Sequence, residues 1–310
     1  MRGCSSGWRM NLPIQVIEMK HIIPDSPAAA LRLLLLVIMT CFVLPALLPL
    51  HSLNAQMGVD SSMDWENGIL RVTVSRTVDD RGYNLPAALY SAELEIERRL
   101  PDILFRELLN VQVDSWNSLE DTLRNEPELI SFIENLSATA EHVSVRPDPS
   151  VPVLHSSYAL ELYPRLSGEL VRHGNSFPMN EVLQWQPGSD YSGIVIYAGR
   201  ELPVHGEQRS AALEPALFPV IYDENMRVVA DKNRLDPEYA SRWGVAAYTR
   251  GFDESEHRER IGDNPYRIIA TSLFGITPSD PLIPPADADV LLYSENNRRL
   301  LREGRILIIY

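Results

Sequence analysis

The sequence predicts an α+β fold with mixed sheets and packed helices, built as two α/β-type halves after an N-terminal signal or anchor segment. Short β-branched runs alternate with runs of helical periodicity along most of the chain. Residues 174–191 show few periodic signals and separate the two halves. We therefore expect an N-terminal α+β domain at 68–175 and a C-terminal α+β domain at 191–310, with a linker at 56–67 before them.

The segment 1–55 has the pattern of an export signal. Residues 33–50 carry no charge and follow a basic region, and the small residue Ala55 stands where cleavage would occur. A run of this length also approaches the minimum for a membrane-spanning helix, so a membrane anchor at 33–50 is the alternative. Pro45 and Pro49 interrupt the run near its end and favour a signal peptide cleaved after Ala55.

Both interpretations predict export to the periplasm or cell envelope, whether the chain starts at Met1 or at Met19. The only cysteines, Cys4 and Cys41, lie in this leader, so the mature chain can form no disulfide. Cys41 lies inside the apolar run, which disfavours lipidation. The leader has four basic and two acidic residues, so its removal changes the net charge from −14 to −16. This negative charge argues against nucleic acid as a partner. Contact with a membrane is expected only through the leader, if the leader stays uncleaved.

A long helix is predicted at 85–109 in the first half. Apolar residues recur there at helical spacing, Asn84 can cap the N-terminus, and Pro86 suits the first turn. Pro101 falls inside the pattern and is expected to kink or divide the helix. Alternating residues predict a strand at 68–77. The other predicted elements of this half are a strand at 111–115, helices at 118–125 and 127–138, strands at 141–147 and 153–163, and a helix at 165–173.

A buried strand is predicted at 192–200, at the start of the second half, because its apolar run suits burial on both faces. The apolar residues of 305–310 predict a buried final strand, which is expected beside the first in one sheet. The other predicted elements are a hairpin at 216–231 that turns at 223–225, strands at 243–250 and 264–275, and a helix at 287–302.

Nucleotide and metal binding find little support in the residues. The strand at 192–200 looks like the start of a nucleotide-binding unit, but the second and third glycines of a phosphate loop are absent after Gly199. The five histidines beyond the leader form no ligand pair. His205 follows a buried strand and is expected to be a solvated loop residue.

Paired acidic residues are the remaining candidates for chemistry. Asp287 and Asp289 are expected to cap a helix, since the sequence after them lacks the glycine and the closing glutamate of a calcium loop. The pairs at 79–80 and 253–254 are expected in solvated turns. We therefore assign no catalytic, cofactor-binding or metal-binding residues and expect no cofactor.

Five segments of the second half carry a resemblance to known proteins. They are "SGIVIYAGREL" at 192–202, "EPALFPVIYDENMRVV" at 214–229, "WGVAAY" at 243–248, "RIGDNPYRIIA" at 260–270, and the segment 287–310. In this order and spacing the second half resembles bacterial flagella-associated envelope lipoproteins and periplasmic proteins of the basal-disk type. Two departures stand out: Tyr197 occupies a position where that family often has an aspartate, and the leader lacks a suitable cysteine for lipidation.

The resemblance implies a non-enzymatic assembly role and carries over no catalytic residue. We therefore expect a scaffold or accessory component of a flagellar or related envelope assembly. Its partners would be other envelope or flagellar proteins, or further copies of itself. One alternative is an exported small-ligand or glycan-binding module, which a concave aromatic-lined cleft would favour. The other is an envelope hydrolase, which converging carboxylates or histidines would favour.

Overall fold

The computed structural model describes residues 57–78, 84–182 and 190–310. The described residues form one compact unit. The helices and sheets of these ranges confirm the predicted α+β fold. The predictions for the leader and for the acidic pair at 79–80 concern residues outside these ranges. None of the helices in the described ranges is long and apolar enough to span a membrane.

The first half contains an antiparallel sheet of four strands in the order β1-β2-β4-β3. The predicted linker at 56–67 is wrong, because most of it forms β1, which pairs with β2 from Met57 to Asp64. Apolar and polar residues do not alternate along this segment, because β1 is an edge strand that is held by main-chain hydrogen bonds and has most of its side chains exposed. The four strands are β1 (Met57–Asp64), β2 (Ile69–Thr77), β3 (Glu141–Pro147) and β4 (Val153–Glu161).

Helix α1 (Leu85–Leu109) packs against one face of this sheet, as its apolar periodicity predicts. The side chain of Asn84 accepts the N–H of Ala87 at 3.0 Å and caps the helix. The helix continues through Pro101 without a division. Buried residues of β2 and β4, which include Val72, Val74 and Tyr158, face it.

Three short helices complete this half: α2 (Leu119–Asn125), α3 (Ile130–Ser137) and α4 (Arg165–Leu170). The predicted strand at 111–115 is wrong. The carboxylate of Asp114 accepts the main-chain N–H groups of Trp116 and Asn117, both at 2.9 Å, and folds the segment into a turn. Only an isolated bridge between Gln112 and Ser118 remains of a strand.

The second half is built on a four-stranded sheet in which every pair of neighbours is parallel. The order is β10-β14-β5-β11, so the predicted pairing of the 192–200 and 305–310 strands is confirmed. The strands are β5 (Gly193–Tyr197), β10 (Ala247–Thr249), β11 (Pro265–Ile269) and β14 (Ile306–Ile309).

A second sheet in this half has the order β12-β13-β8-β9, and its β8-β9 pair is the predicted hairpin. Two-residue strands β6 (Leu202–Pro203) and β7 (Ser210–Ala211) pair separately. The sheet strands are β8 (Ile221–Asp223), β9 (Val228–Ala230), β12 (Ser272–Phe274) and β13 (Asp280–Ile283). The helices are α5 (Pro237–Trp243), α6 (Arg258–Ile261), α7 (Pro285–Tyr293) and α8 (Glu295–Arg302).

The helix predicted at 287–302 is two helices, α7 and α8, separated by Ser294. This residue has extended backbone with ψ of 144°, which ends α7. Its hydroxyl accepts the N–H of Asn297 at 3.0 Å and caps α8. The prediction of one helix is therefore wrong, because a serine that suits a helix interior poorly is a strong N-cap.

The two halves share buried contacts. Leu217, Phe218 and Leu235 of the second half belong to the same core cluster as the residues beneath α1. Main-chain bonds reinforce the contact, since Leu217 N donates to the carbonyl of Gln112 at 3.0 Å and Phe218 N to that of Val113 at 2.9 Å. These contacts therefore hold the second half, and the parallel sheet within it, in a fixed position against the first half.

Candidate functional site

The carboxyl ends of the four parallel strands form a row of side chains on one face of the sheet. In register across the sheet the row reads Thr249, Ile309, Tyr197 and Ile269. The carboxyl edge of a parallel sheet is the usual place for binding sites in folds with such sheets. The exposed and charged side chains of this row are therefore the candidates for a binding site.

Exposure rises from one end of this row to the other. Thr249 and Ile309 are buried, with 2% and 1% of their surface exposed, whereas Ile269 is 63% exposed. At the buried end the hydroxyl of Thr249 donates to Glu66 at 2.7 Å, so the turn between β1 and β2 covers it. At the other end β11 is the last strand of the sheet. Parallel sheets normally have both faces covered, so this open end is unusual.

Helix α6 and the turn before it cover only part of the face. Ile261 packs on Val195 and Leu307 in the middle of the sheet. The main chain of α6 approaches so closely that a Cβ added at Gly193 would lie 2.4 Å from the Ile261 Cα. Only glycine therefore fits at the start of β5, and the covering segment ends before it reaches Ile269.

A charged network lies beside the open end. Glu254, which follows the loop after β10, accepts hydrogen bonds from the hydroxyl of Tyr197 at 2.5 Å and from Arg267 Nη2 at 2.7 Å. Burial opposes ionisation of Glu254, but the hydrogen bonds from Arg267 and Tyr197 hold its pKa below the ordinary value. The bond to Glu254 raises the pKa of Tyr197. Tyr197 is thus a neutral donor that fixes a carboxylate.

An apolar groove of about 540 Å³ opens next to this network. Phe252, 76% exposed, lies on one side and Ile269 on the other. Arg200 lines the groove and has no carboxylate within ion-pair distance among the described residues. We call these six residues the edge surface: Tyr197, Arg200, Phe252, Glu254, Arg267 and Ile269.

The acidic candidates from the sequence have structural partners. Asp287 accepts the hydroxyl of Tyr266 at 2.6 Å, and Asp289 accepts Arg227 Nη2 at 2.6 Å, so neither carboxylate is free. In the pair at 253–254, Asp253 accepts the N–H of Ser255 at 3.0 Å and starts a 3-10 turn.

The histidines lie apart from one another. His142 stacks on Tyr158, while the His205 ring lies 6.3 Å from that of Phe274. His257 Nε2 lies 3.5 Å from Glu66 Oε1. No group of three or more His, Cys, Asp or Glu side chains in the described ranges could hold a metal ion.

Sequence reasoning identified Tyr197 only as a departure from a pattern and missed the rest of the edge surface. A weak signal was the charged residue Arg267 inside an otherwise uncharged strand: by the period of two it shares a face with Ile269, and both side chains are exposed, whereas Ile268 between them is buried. Phe252 and Arg200 lie in loops without periodicity, where no sequence pattern reveals exposure.

The fold and the edge surface define an α+β protein whose second half leaves one face of a parallel sheet uncovered at its β11 end. Two family models match this chain. One describes the N-terminal domain of Treponema pallidum Tp0624 and matches residues 56–169, and the other describes the second domain of that protein and matches residues 193–310. The chain therefore belongs to the bacterial family that these two domains define.

The matches leave residues 170–192 between them, which include the predicted boundary at 174–191. A comparison with curated proteins gave no match. Neither family description states an activity or mentions a flagellum. The resemblance to flagella-associated envelope proteins therefore stays a prediction.

Proposed function

We propose that this protein is an exported, non-enzymatic component of the bacterial cell envelope, acting as a scaffold or accessory part of a flagellar or related assembly. The observation that carries the proposal is the edge surface. Exposed apolar side chains that cluster on one face, rather than lying singly, mark sites of protein–protein contact. Phe252 and Ile269 form such a cluster, and both line the same groove.

Two properties of the surface support a protein partner. Glu254, Tyr197 and Arg267 are tied to one another, so the charged groups beside the groove are held in place before a partner arrives. Such pre-organisation lowers the entropy cost of binding. The main chain beneath the groove belongs to the parallel sheet, which gives the surface a rigid base.

The leader and the resemblance support the cellular setting. The uncharged run at 33–50 and the small residue Ala55 fit an exported chain. The segments between 192 and 310 that resemble flagella-associated envelope proteins include the strands of the edge surface. N-terminal sequencing of the mature protein tests export: a chain that begins at residue 1 or at Met19 would contradict cleavage after Ala55.

Photo-cross-linking in intact cells tests the scaffold role. Benzoylphenylalanine replaces Phe252 in one strain and Phe177, which is 56% exposed outside the edge surface, in the control strain. We expect adducts with envelope proteins from position 252 and none of the same mass from position 177. Equal adducts from both positions, or none from 252, would contradict the proposal.

Deletion of the gene tests the flagellar assignment separately. Electron cryotomography of the motor should show lost or altered periplasmic density in the deletion strain, with reduced motility. Unchanged motor density together with normal motility would remove the flagellar part of the proposal and leave a different envelope assembly.

A further inference from the structure

We propose that the edge surface binds an extended, acidic segment of a partner protein, which pairs with β11 and places a carboxylate at Arg200. This inference rests on the proposed function and specifies how the partner is recognised. Three features carry it: a free strand edge, an apolar groove beside that edge, and a basic group at the groove.

The main chain of β11 has a free side. Ala270 N donates to the carbonyl of Tyr197 at 2.9 Å, directly after the strand, so alternate residues of β11 turn their main-chain groups towards β5. The N–H and C=O groups of Arg267 and Ile269 therefore point away from β5. No strand within the described ranges pairs with that side. These groups are available to an added strand.

The free edge of β11 is short, and its residues limit which segments can pair with it. Pro265 is the first residue of β11 and has no N–H to offer, which prevents pairing at that end. Charged side chains on an edge also discourage uncontrolled pairing, and Arg267 supplies one. The free edge thus spans only the second part of β11, so a partner segment needs side-chain contacts as well as main-chain bonds.

The groove supplies those side-chain contacts. Side chains of an added strand alternate between the two faces of the sheet, so every second one faces the side of Ile269 and Phe252. The volume of about 540 Å³ accommodates one or two apolar side chains. The groove is open along Phe252 and Ile269, which suits a chain that continues on both sides better than a small enclosed ligand.

Charge decides what kind of segment fits. The chain has 42 acidic against 28 basic residues, but among the residues that the structure describes the groove is lined by Arg200 and Arg267 and by no acidic side chain. Arg267 is neutralised by Glu254, whereas Arg200 has no such partner in the described part of the chain. A carboxylate from the partner can form a charge-assisted, bidentate hydrogen bond with Arg200. An acidic segment is therefore favoured over a basic one.

Selection from a random heptapeptide display library tests this inference. The mature protein is the bait, in parallel with Arg200→Glu and with the matched control Arg146→Glu, which changes an exposed arginine on β3. We expect the wild type and the control to enrich peptides that combine Asp or Glu with apolar residues. We expect Arg200→Glu to lose the acidic preference and to bind the wild-type peptides at least about tenfold more weakly.

Amide hydrogen exchange with a selected peptide then tests strand pairing. The N–H groups of Arg267 and Ile269 should become protected when the peptide binds, and Phe252→Ala should weaken binding while Phe177→Ala does not. The inference would be overturned by any one of three results. The wild type enriches no acidic peptides, Arg200→Glu keeps the same preference for acidic peptides, or the N–H groups of residues 267 and 269 stay unprotected when the peptide binds. If cross-links from position 252 persist in that case, the proposed scaffold role stands and the partner docks as a folded surface instead.

Discussion

Asp280 at the start of β13 makes the stability of this fold depend on pH in an unusual direction. Its side chain is fully buried, and Oδ1 accepts the N–H of Val220 at 2.9 Å and the hydroxyl of Ser279 at 3.1 Å. Oδ2 is buried without a hydrogen-bond partner in the described part of the chain. Burial raises the pKa of Asp280 from 3.8 to about 6.

The sign of the effect follows from this shift. The folded state binds the proton of Asp280 more tightly than the unfolded state, so protonation stabilises the fold. This contribution is complete below about pH 4 and is lost as the pH rises through about 6. A difference of about two pKa units corresponds to about 3 kcal/mol in the free energy of unfolding.

Asp280→Asn removes the titration and keeps an acceptor for Val220. Between pH 4 and pH 7.5 the wild type should lose about 3 kcal/mol of unfolding free energy that the variant keeps. The variant should therefore gain about 3 kcal/mol relative to the wild type over this range. Urea denaturation at pH 4, 5, 6 and 7.5 measures it. Asp253→Asn is the control, because hydrogen bonds from Ser255 lower the pKa of that carboxyl below 3.8, so its titration lies below the tested range and its stability relative to the wild type should change little between pH 4 and pH 7.5. Parallel pH profiles for the wild type and Asp280→Asn would refute the reasoning.

Three further substitutions test local packing by urea unfolding. Gly244→Ala should cost more than about 1 kcal/mol, because Gly244 has φ of +71° and an added Cβ would lie 2.9 Å from the hydroxyl of Tyr163. Arg260→Lys should cost about 1.5–3 kcal/mol, because the buried guanidinium donates to three main-chain carbonyls, at 2.7, 2.7 and 3.0 Å, which one ammonium cannot replace. Ser294→Ala should cost about 1 kcal/mol through loss of the α8 cap.

Matched variants show whether these losses have the stated causes. Gly174→Ala adds a Cβ with no atom within 4 Å and should be nearly neutral, so an equal loss at both glycines contradicts the steric explanation. Arg242→Lys changes an exposed arginine and should leave stability unchanged. A variant Ser294→Asp should restore most of the stability lost by Ser294→Ala, because aspartate is an equally good N-cap.

Elements with strong periodicity could be predicted from the sequence. Helix α1 begins and ends where apolar spacing and Asn84 place it, and β4 buries Leu154, Tyr158 and Leu160 as its alternation requires. Strand β1 was missed because it is stabilised by main-chain pairing with β2 and buries few side chains. The break between α7 and α8 was missed because one hydroxyl at Ser294 decides it.

The edge surface could not be predicted because its residues are far apart along the chain. Tyr197 and Glu254 are 57 positions apart, and only the parallel register of β5 with β11 brings Tyr197 beside Ile269. Register between distant strands depends on the whole sheet, which no local pattern encodes. The exposure of Phe252 likewise depends on how far the turn before α6 extends over the sheet.

The position of β14 has a consequence for the order in which the second half can form. β14 lies between β10 and β5, although residues 306–309 come after all the other described strands along the chain. During synthesis, β5 and β10 therefore lack the neighbour that joins them until residue 309 has left the ribosome. The antiparallel sheet of the first half can form before β14 has been made, whereas the β5–β14 and β14–β10 pairs cannot.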